Sequence, residues 1–255
     1  MKKSRNMNNP NVLINSDYGP IIININDQFI SKEIIKNGFY NIEDINFIKK
    51  ILEIQLKKFN RQITFYDIGS NVGTHSLAVA KSFKNNIKVR AFEAQRIIFN
   101  MLCGTMAING LSNVYCHHLA IGNDSIQRLE ISLPDYTSFN NFGGLELIPP
   151  VRSDNQNMLK NGCEFVNVAT IDSLAESVDF IKMDIEGMED KAIEGAVNTI
   201  DKYRPICYIE IVKTNANFVI EFFKTREYDA YRKGMDAIFI PKEYGFSVNG
   251  LKRFY

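Results

Sequence analysis

The chain has 255 residues, of which 45% are apolar and 23% are charged, and its formal net charge is +1. This size and balance are typical of one large globular domain, or of a domain with a small extension. Basic residues cluster only in residues 1–5, so we expect no nucleic-acid partner. The densest apolar run, residues 21–25, is far shorter than a membrane-spanning helix, so we expect no membrane partner.

The first residues and the cysteines predict where the protein resides. The basic residues 1–5 are not followed by an apolar segment, so we expect no signal peptide. The cysteines are scattered and form no C-x-x-C motif, which is typical of reduced thiols. We therefore expect a cytoplasmic protein, without a metal site at its four cysteines, Cys103, Cys116, Cys163 and Cys207.

Residues 1–60 are predicted to form an N-terminal extension that contains a hairpin and a helix. Residues 1–17 are polar and rich in asparagine, so we expect them to be irregular. The apolar residues between 20 and 30 predict a hairpin with its turn at Asn26-Asp27. Apolar residues recur at helical spacing over residues 42–59, with lysines on the other face. This extension would cover either the edge of the sheet or the mouth of a site.

A strand, a glycine loop and a helix follow one another between residues 63 and 80. Apolar and β-branched residues predict a buried strand that ends at Asp67. Gly69 and Gly73 then permit a sharp turn and the close approach of a ligand. Residues 77–80 predict the helix, and we expect the N–H groups of the loop and of the helix start to face the ligand. The alternative is an ordinary glycine turn in which Asp67 caps the helix.

The spacing of this loop, Asp67-x-Gly69-x-x-x-Gly73, discriminates between cofactors. It lacks both the G-x-G-x-x-G pattern of a dinucleotide site and the lysine of a phosphate-binding loop. An acid before the first glycine disfavours a pyrophosphate and suits a cofactor with a cationic end, such as S-adenosylmethionine (SAM). Glu93 ends the next predicted strand, about 20 residues beyond Gly73, where an acidic side chain can accept hydrogen bonds from ribose hydroxyls.

A long irregular segment interrupts the second half of the chain. Before it, the sequence predicts a helix over 96–108, a strand over 114–119 and a hairpin strand over 128–133. We assign the loop near 134–165 to substrate recognition, because long loops in compact domains are often functional. A disordered insertion is the alternative. Three aromatic residues either stack on the substrate or anchor the loop: Tyr136, Phe139 and Phe142.

The remaining sequence alternates again between strands and helices. Strands are expected over 165–170, 178–183, 205–211, 228–233 and 237–241, and helices over 190–199 and 218–224. This alternation predicts an α/β domain over residues 61–255, with a doubly wound, mostly parallel sheet that the last two strands close as an antiparallel pair. Ligands lie at the carboxyl ends of the strands in such sheets. Four acids are predicted to share this rim: Asp67, Glu93, Asp184 and Glu210.

Several of these motifs together resemble the FkbM family of SAM-dependent methyltransferases. The most specific is the run from Lys182 to Glu189, Lys-Met-Asp-Ile-Glu-Gly-Met-Glu. The other motifs are Asp67–Gly73, Phe92–Ala94, Ala120–Gly122, Ile171–Leu174 and Gly38–Tyr40. The resemblance covers about residues 21–240. It implies a class I methyltransferase with a Rossmann-like, seven-stranded sheet and SAM as its cofactor.

The resemblance also implies a role for individual residues of the cofactor site. The loop would hold the methionine part of SAM, through Asp67, Gly69, Ser70, Asn71 and Gly73. Glu93, with Ala94 beside it, would hold the ribose, and Ala120 would flank the adenine. The chain departs from the family pattern at two places. Ala94-Gln95 stands where the family often has proline or arginine-like partners, and Asn41 stands where the family has glutamate.

The rim acids and the resemblance together predict O-methylation of a hydroxyl on a sugar or secondary metabolite. Such an enzyme must position the acceptor and remove its proton. We expect Asp184 to be the base or to orient the acceptor, with Glu186 and Glu210 beside it, because clustered acids raise one another's pKa. The same oxygens suit Mg²⁺, so a magnesium-assisted reaction stays open as an alternative. His75 is either a second base or a polar contact at the start of a helix.

Three rival interpretations differ in function. An oxidoreductase on a Rossmann sheet would need the dinucleotide motif that this chain lacks. A methyltransferase-like binding module without activity would usually lose loop glycines or rim acids, which this chain keeps. An N-methyltransferase would differ only in its acceptor, which we expect to be a small molecule or a glycan. The sequence predicts no oligomeric state.

Overall fold

The computed structural model describes residues 9–148 and 156–255. The strands are β1 Asn11–Ser16, β2 Gly19–Asn24, β3 Ile63–Ile68, β4 Ile87–Glu93, β5 Val114–His118, β6 Ala120–Ile121, β7 Arg128–Pro134, β8 Met158–Ala169, β9 Phe180–Met183, β10 Ile206–Glu210, β11 Tyr228–Lys233, β12 Asp236–Pro241 and β13 Lys252–Arg253. The α-helices are α1 Ile30–Asn37, α2 Ile42–Phe59, α3 Thr74–Phe83, α4 Arg96–Ile108, α5 Glu189–Glu194, α6 Val197–Tyr203 and α7 Ala216–Lys224. Within these residues, no helix combines the length and the apolar sequence that crossing a membrane requires.

The main sheet has eight strands in the order β13-β11-β12-β10-β9-β3-β4-β5. The five strands from β10 to β5 pair in parallel, whereas β12, β11 and β13 pair antiparallel. The α/β fold and the closing antiparallel pair of β11 and β12 are confirmed, but the sheet is mixed and has eight strands, so the predicted count of seven is wrong. The extra strand, β13, consists of only two residues, and both are exposed, so it leaves no apolar pattern in the sequence.

Alternate residues of the central strands face two different layers of helices, as the two-residue period of a strand requires. In β3, Ile63 and Phe65 pack with apolar residues of α2 and α3. Tyr66 and Ile68 pack on the opposite face, with apolar residues of α5, α6 and α7. Because β3 is buried on both faces, its sequence is a nearly continuous apolar run.

The N-terminal extension differs from its predicted arrangement. The hairpin is formed by β1 and β2, so residues 11–16 are regular, and the predicted hairpin within residues 20–30 is wrong. The Asn26-Asp27 turn instead precedes α1. The carboxylate of Asp27 accepts hydrogen bonds from the N–H groups of Phe29 (3.2 Å) and Ser31 (2.8 Å), as at the start of a helix. Residues 1–8 lie outside the described part of the chain.

A second, three-stranded sheet in the order β6-β8-β7 lies beside the main one. The strand β8 begins at Met158 and pairs with β7, so the predicted irregular segment is shorter than its assigned limits of 134–165. Almost all described residues of β8 are exposed or only partly buried, which explains why its first half showed no apolar alternation. Of the remaining loop, residues 149–155 lie outside the described part.

The predicted helix over residues 190–199 is divided into α5 and α6 at Gly195. Two backbones approach each other closely at the break, because a Cβ atom on Gly195 would lie 2.2 Å from the carbonyl oxygen of Gly122, so only glycine fits there. Beyond the break, Asp172 accepts hydrogen bonds from the N–H groups of Asn198 (3.1 Å) and Thr199 (2.7 Å) and so begins α6.

The Gly195→Ala substitution tests this close approach. We expect it to lower the free energy of unfolding by about 1–3 kcal/mol, because a backbone carbonyl cannot give way to the added methyl. The matched control is Gly104→Ala in α4, where the new Cβ meets only the terminal methyl of Ile22. That variant should stay within about 1 kcal/mol of the parent, since alanine also favours the helix. Urea unfolding checks both, and equal effects would contradict the explanation.

Candidate active site

Five acidic residues lie at one edge of the main sheet, on five neighbouring strands. Glu93 and Asp67 belong to β4 and β3, and Asp184 directly follows β9. Glu210 ends β10, and Asp236 begins the antiparallel strand β12, where it is the register partner of Glu210. The sequence indicated the first four. It could not reveal Asp236, because that residue reaches the same edge only through antiparallel pairing.

A cavity of about 720 Å³ lies over this edge. The predicted site residues that line it are Gly69, Ser70, Asn71, His75, Glu93, Ala94, Ala120, Asp184, Glu186 and Glu210. Asp67 and Gly73 are the two that do not line it. The N-terminal extension closes one side of the cavity through Tyr40, Asn41, Glu43 and Asp44. The extension therefore borders the mouth of the site.

The glycine loop uses its own N–H groups internally. The N–H groups of Gly69 and Ser70 both donate to the carbonyl oxygen of Phe92, at 3.0 and 2.9 Å. The next three also have partners within the chain. Our expectation that the loop N–H groups face a ligand is therefore wrong for residues 69–73. A Cβ on Gly69, at φ 77°, would lie 1.8 Å from the carbonyl oxygen of Asp184, so this glycine brings the loop against the end of β9.

Asp67 is fully buried and orders the helix that follows the loop. One of its oxygens accepts hydrogen bonds from the N–H (3.1 Å) and the hydroxyl (2.6 Å) of Ser76. Its other oxygen lies 3.7 Å from the ammonium of Lys182. Because both oxygens of Asp67 face partners inside the protein, Asp67 can affect a ligand only indirectly, by positioning Ser76 and Lys182.

Glu93 connects the end of β4 to the glycine loop. Its carboxylate accepts hydrogen bonds from the N–H groups of Asn71 (2.9 Å) and Gln95 (2.8 Å), one on each oxygen. Each oxygen keeps a further lone pair, so the group can still accept hydrogen bonds from a ligand in the cavity. Burial raises the pKa of Glu93 to about 7, although the two N–H groups favour the charged form.

Lys182 lies at the centre of the site, and the sequence analysis did not assign it a role. Its buried ammonium donates a hydrogen bond to the carbonyl oxygen of Gly69 at 3.2 Å and lies 3.6 Å from Asp184. Burial alone would lower the pKa of Lys182, but the carboxylates of Asp184 and Asp67 outweigh it and raise the pKa above its usual value. A lysine within the apolar strand β9 was the available signal in the sequence.

His75 is the second residue of α3 and is 6% exposed. Its Nε2 atom has no hydrogen-bond partner in the described residues, although the residue lines the cavity. Burial and the nearby Lys182 ammonium lower the pKa of His75 to about 4. A neutral imidazole with so low a pKa is a weak base at neutral pH. It can still donate or accept one hydrogen bond.

Asp184, Glu186 and Glu210 form one carboxylate cluster, with an oxygen of each within 4.8 Å of the others. Oxygen ligands at this spacing fit a divalent cation. Glu186, however, already forms an ion pair with Lys213. The geometry therefore permits a metal ion and does not require one.

Glu210 is the member of this cluster whose negative charge is least compensated by hydrogen-bond donors or cations. Its Oε2 atom is buried and has no hydrogen-bond partner among the described residues. Burial, and then the charges of Asp184 and Glu186, raise the pKa of Glu210 to about 8. Glu189 lies outside this cluster and has hydrogen-bond donors on its carboxylate. It accepts hydrogen bonds from the N–H groups of Ile185 and Gly187 and so orders the start of α5.

The far end of the cavity contains an acidic pair that the sequence did not indicate. The Tyr208 hydroxyl lies 2.8 Å from Asp44 and 2.9 Å from Asp236, and Lys233 forms an ion pair with Asp44. Burial, followed by the charge of Asp44 and others, raises the pKa of Asp236 to about 6 despite the hydroxyl of Tyr208. Only the tertiary fold brings Asp44 to this position, because it belongs to the N-terminal extension.

The three aromatic residues of the long loop do not line the cavity. Phe142 is 1% exposed and packs against Tyr136, with ring centroids 4.8 Å apart. These two rings anchor the loop, which was one of the two roles considered for them. Phe139 is 69% exposed. The neighbouring residues that do line the cavity are Asn141, Gly143, Gly144, Leu145 and Leu147.

The strand order and a cavity at the carboxyl ends of the parallel strands define an α/β domain with its ligand site at that edge of the sheet. The family model described as the methyltransferase FkbM domain matches residues 67–248. This chain therefore belongs to the FkbM methyltransferase family. No curated protein matches it.

The solved structures that match this chain are distant in sequence. The FkbM methyltransferase from Methylobacillus flagellatus KT is 18% identical, with a TM-score of 0.48 over 70% of this chain and 43% of that chain. This chain thus spans less than half of that protein. The tRNA (uracil-54, C5)-methyltransferase of Pyrococcus abyssi, solved with S-adenosylhomocysteine, is 12% identical, with a TM-score of 0.44 over 90% of this chain and 44% of that chain. A precorrin-6y C5,15-methyltransferase from Geobacter metallireducens is 11% identical, with a TM-score of 0.37 over 70% and 78% of the two chains.

The raised pKa of Glu210 makes a pH-dependent prediction. Between the unfolded value near 4.5 and the folded value of about 8, the folded protein binds more protons at this group, so the group lowers stability as pH rises. Glu210→Gln removes this cost. The Tm difference between variant and parent should therefore increase by about 2–6 °C from pH 5 to pH 9.

Thermal unfolding at the two pH values checks this prediction. The control is Glu53→Gln, which changes an exposed glutamate on α2. Its Tm should differ from that of the parent by the same small amount at both pH values. A Tm difference for Glu210→Gln that stays constant, or that falls with rising pH, would contradict the assignment.

Proposed function

We propose that this protein is a SAM-dependent O-methyltransferase whose acceptor is a hydroxylated small molecule or a glycan. The observation that carries the proposal is the division of one cavity into two chemically different halves. Glu93 and apolar side chains occupy the half over β4 and β3, whereas Asp184 and further carboxylates occupy the half over β9, β10 and β12.

The half beside Glu93 suits the nucleoside of SAM. The free lone pairs of the Glu93 carboxylate can accept hydrogen bonds from the two ribose hydroxyls. Beyond it, Ala94, Ala120 and Leu147 form part of one apolar cluster, which suits the flat face of an adenine. When bound, SAM supplies an electrophilic methyl group on its sulfonium. The chain must then bring an acceptor oxygen to that methyl group and accept its proton.

Asp184 is the side chain best placed to accept this proton. Its side chain is 45% exposed, whereas that of the neighbouring Lys182 is 7% exposed, so Asp184 is accessible from the cavity. The backbone contact between Gly69 and Asp184 fixes this residue against the cofactor loop. The hydroxyl of the acceptor would donate a hydrogen bond to Asp184, and this carboxylate would take up the proton that the oxygen loses when it replaces the sulfur on the methyl carbon.

The charges of the cavity favour an acceptor without phosphate groups. Among its described lining residues, acidic side chains outnumber lysines eight to three, and arginine is absent. Each of the three lysines is close to a carboxylate: Lys182 to Asp184, Lys213 to Glu186 and Lys233 to Asp44. No lysine is left to compensate an anionic acceptor, whereas carboxylates readily accept hydrogen bonds from hydroxyls. The same argument weighs against a nucleic acid. An amine acceptor would be compatible with these charges, which keeps N-methylation as the rival.

Cofactor binding tests the first half of the proposal. Calorimetric titration of the purified protein with S-adenosylhomocysteine (SAH) should give a micromolar Kd, with NAD as a negative control. Glu93→Ala should weaken binding by about tenfold or more, because it removes the acceptor for the ribose hydroxyls. The control Glu53→Ala should bind as the parent does. Tight binding of NAD, or full binding by Glu93→Ala, would contradict the proposal.

Methyl transfer tests the second half. A panel of hydroxylated compounds, each also supplied as its phosphate ester and as its amine, is incubated with SAM, and SAH production is measured. We expect the free hydroxyl compound to be preferred over its phosphate ester. Asp184→Asn should lower kcat by about 10²–10⁴ while SAH binding is unchanged. Preference for the ester, or near-parent turnover by Asp184→Asn, would contradict this assignment. Activity that is lost with EDTA and restored by Mg²⁺ would favour the metal alternative.

A further inference from the structure

Gln95 joins the end of β4 to the loop that follows β7. Its side chain is buried, with 5% exposure, and both of its polar ends have partners. Its Nε2 donates a hydrogen bond to the carbonyl oxygen of Phe142 at 2.8 Å, and its Oε1 accepts one from the Tyr136 hydroxyl at 3.0 Å. Its backbone N–H donates to Glu93 at 2.8 Å. One residue therefore contacts both the acid that ends β4 and two points of the loop.

We call residues 136–147 the roof segment. Besides Gln95, it is anchored by the end of β2 and by the link between β2 and α1. The side chain of Asn24 donates a hydrogen bond to the carbonyl oxygen of Tyr136 at 3.0 Å. The backbones of Asn140 and Asn26 are joined at 3.0 Å, and those of Gln28 and Asn140 at 2.9 Å. Residues 136–142 of the segment are thus held from two directions, by Gln95 and by residues 24–28.

The roof segment lies over the Glu93 half of the cavity. A Cβ atom on Gly143 would lie 3.6 Å from the side-chain amide of Asn71 in the glycine loop. Leu147, at the other end of the segment, belongs to the apolar cluster that contains Ala94 and Ala120. These contacts join the roof segment to the cofactor side, whereas the sequence had assigned this loop to recognition of the substrate.

We propose that the roof segment closes the nucleoside half of the site and that Gln95 is the positioning residue that sets its distance from Glu93. This inference rests on the proposed use of SAM. Without the Gln95 amide, the carbonyl oxygen of Phe142 is buried without a donor, and it regains one only if the segment moves toward water. Such a movement widens the space over Glu93, so a nucleoside bound there loses contacts on its upper face. The segment also reaches the acceptor half, where Glu146 lies 3.8 Å from the ammonium of Lys213, but the hydrogen bonds of Gln95 go to Phe142, Tyr136 and Glu93.

The chain offers a closely matched control for Gln95. Gln55 is also buried, and its Nε2 donates a hydrogen bond to a backbone carbonyl, that of Asp179, at 2.8 Å. It does not line the cavity. Gln95→Met and Gln55→Met each replace a buried amide by an apolar side chain of similar length, so both should lower the Tm. Only Gln95→Met should change the affinity for the ligand, and a general loss of structure would affect both.

The experiment is calorimetric titration of the parent and three variants with SAH, followed by competition with adenosine. We expect the SAH Kd to rise about tenfold in Gln95→Met, about threefold in Tyr136→Phe and less than about twofold in Gln55→Met. The adenosine Kd should rise by the same factor as that of SAH, because the effect is confined to the nucleoside. In an active assay, the change should appear in the KM for SAM and not in kcat.

The outcomes separate this inference from the proposed function. If the parent binds SAH while Gln95→Met binds it as tightly, or while Gln55→Met weakens it equally, the positioning role is wrong and the proposed function stands. If Gln95→Met weakens SAH but leaves adenosine unchanged, the assignment to the nucleoside is wrong. If the parent does not bind SAH, the proposed function fails and this inference fails with it.

Discussion

The buried ammonium of Lys182 is the interaction on which the candidate site depends. It lies between Asp67 and Asp184 and donates a hydrogen bond to the carbonyl oxygen of Gly69. It therefore connects the glycine loop after β3 to the segment after β9. A buried charge of this kind is tolerated only when it is well paired, because desolvation is expensive. The same ammonium helps to lower the pKa of His75, so one buried charge influences both the geometry of the site and the protonation of its neighbours.

The parallel strands bring these groups together, and the N-terminal extension and the antiparallel strands complete the cavity. Parallel strands end at the same edge, which explains why Glu93, Asp67 and Asp184 share it. Asp236 and Asp44 come from an antiparallel strand and from α2, and both reach the Tyr208 hydroxyl. The acceptor half thus combines parts of the chain that are far apart in sequence. Its residues come from other segments than those of the cofactor loop.

Much of the central fold could be predicted from sequence because its strands are buried on both faces. Their continuous apolar runs predicted β3, β9 and β10. The regular spacing of α2 and α4 predicted the bounds of both helices. The sequence failed where local pattern and tertiary contact disagree. The asparagine turn near residue 26 precedes a helix whose first N–H groups bond to Asp27, and the predicted helix over 190–199 breaks at Gly195, where another backbone approaches closely.

The candidate site was predictable at the ends of strands and not beyond them. Acids that directly follow apolar runs were visible, whereas the pairing of Asp44 with Lys233 depends on the fold. The glycine motif indicated a ligand loop but not that its N–H groups are used internally. A crystal structure of the protein with bound SAH tests the division of the cavity most directly. We expect the ribose hydroxyls against Glu93, the adenine beneath Leu147 and the sulfur facing Asp184. A nucleoside bound over β10 and β12, or outside the cavity, would contradict this division.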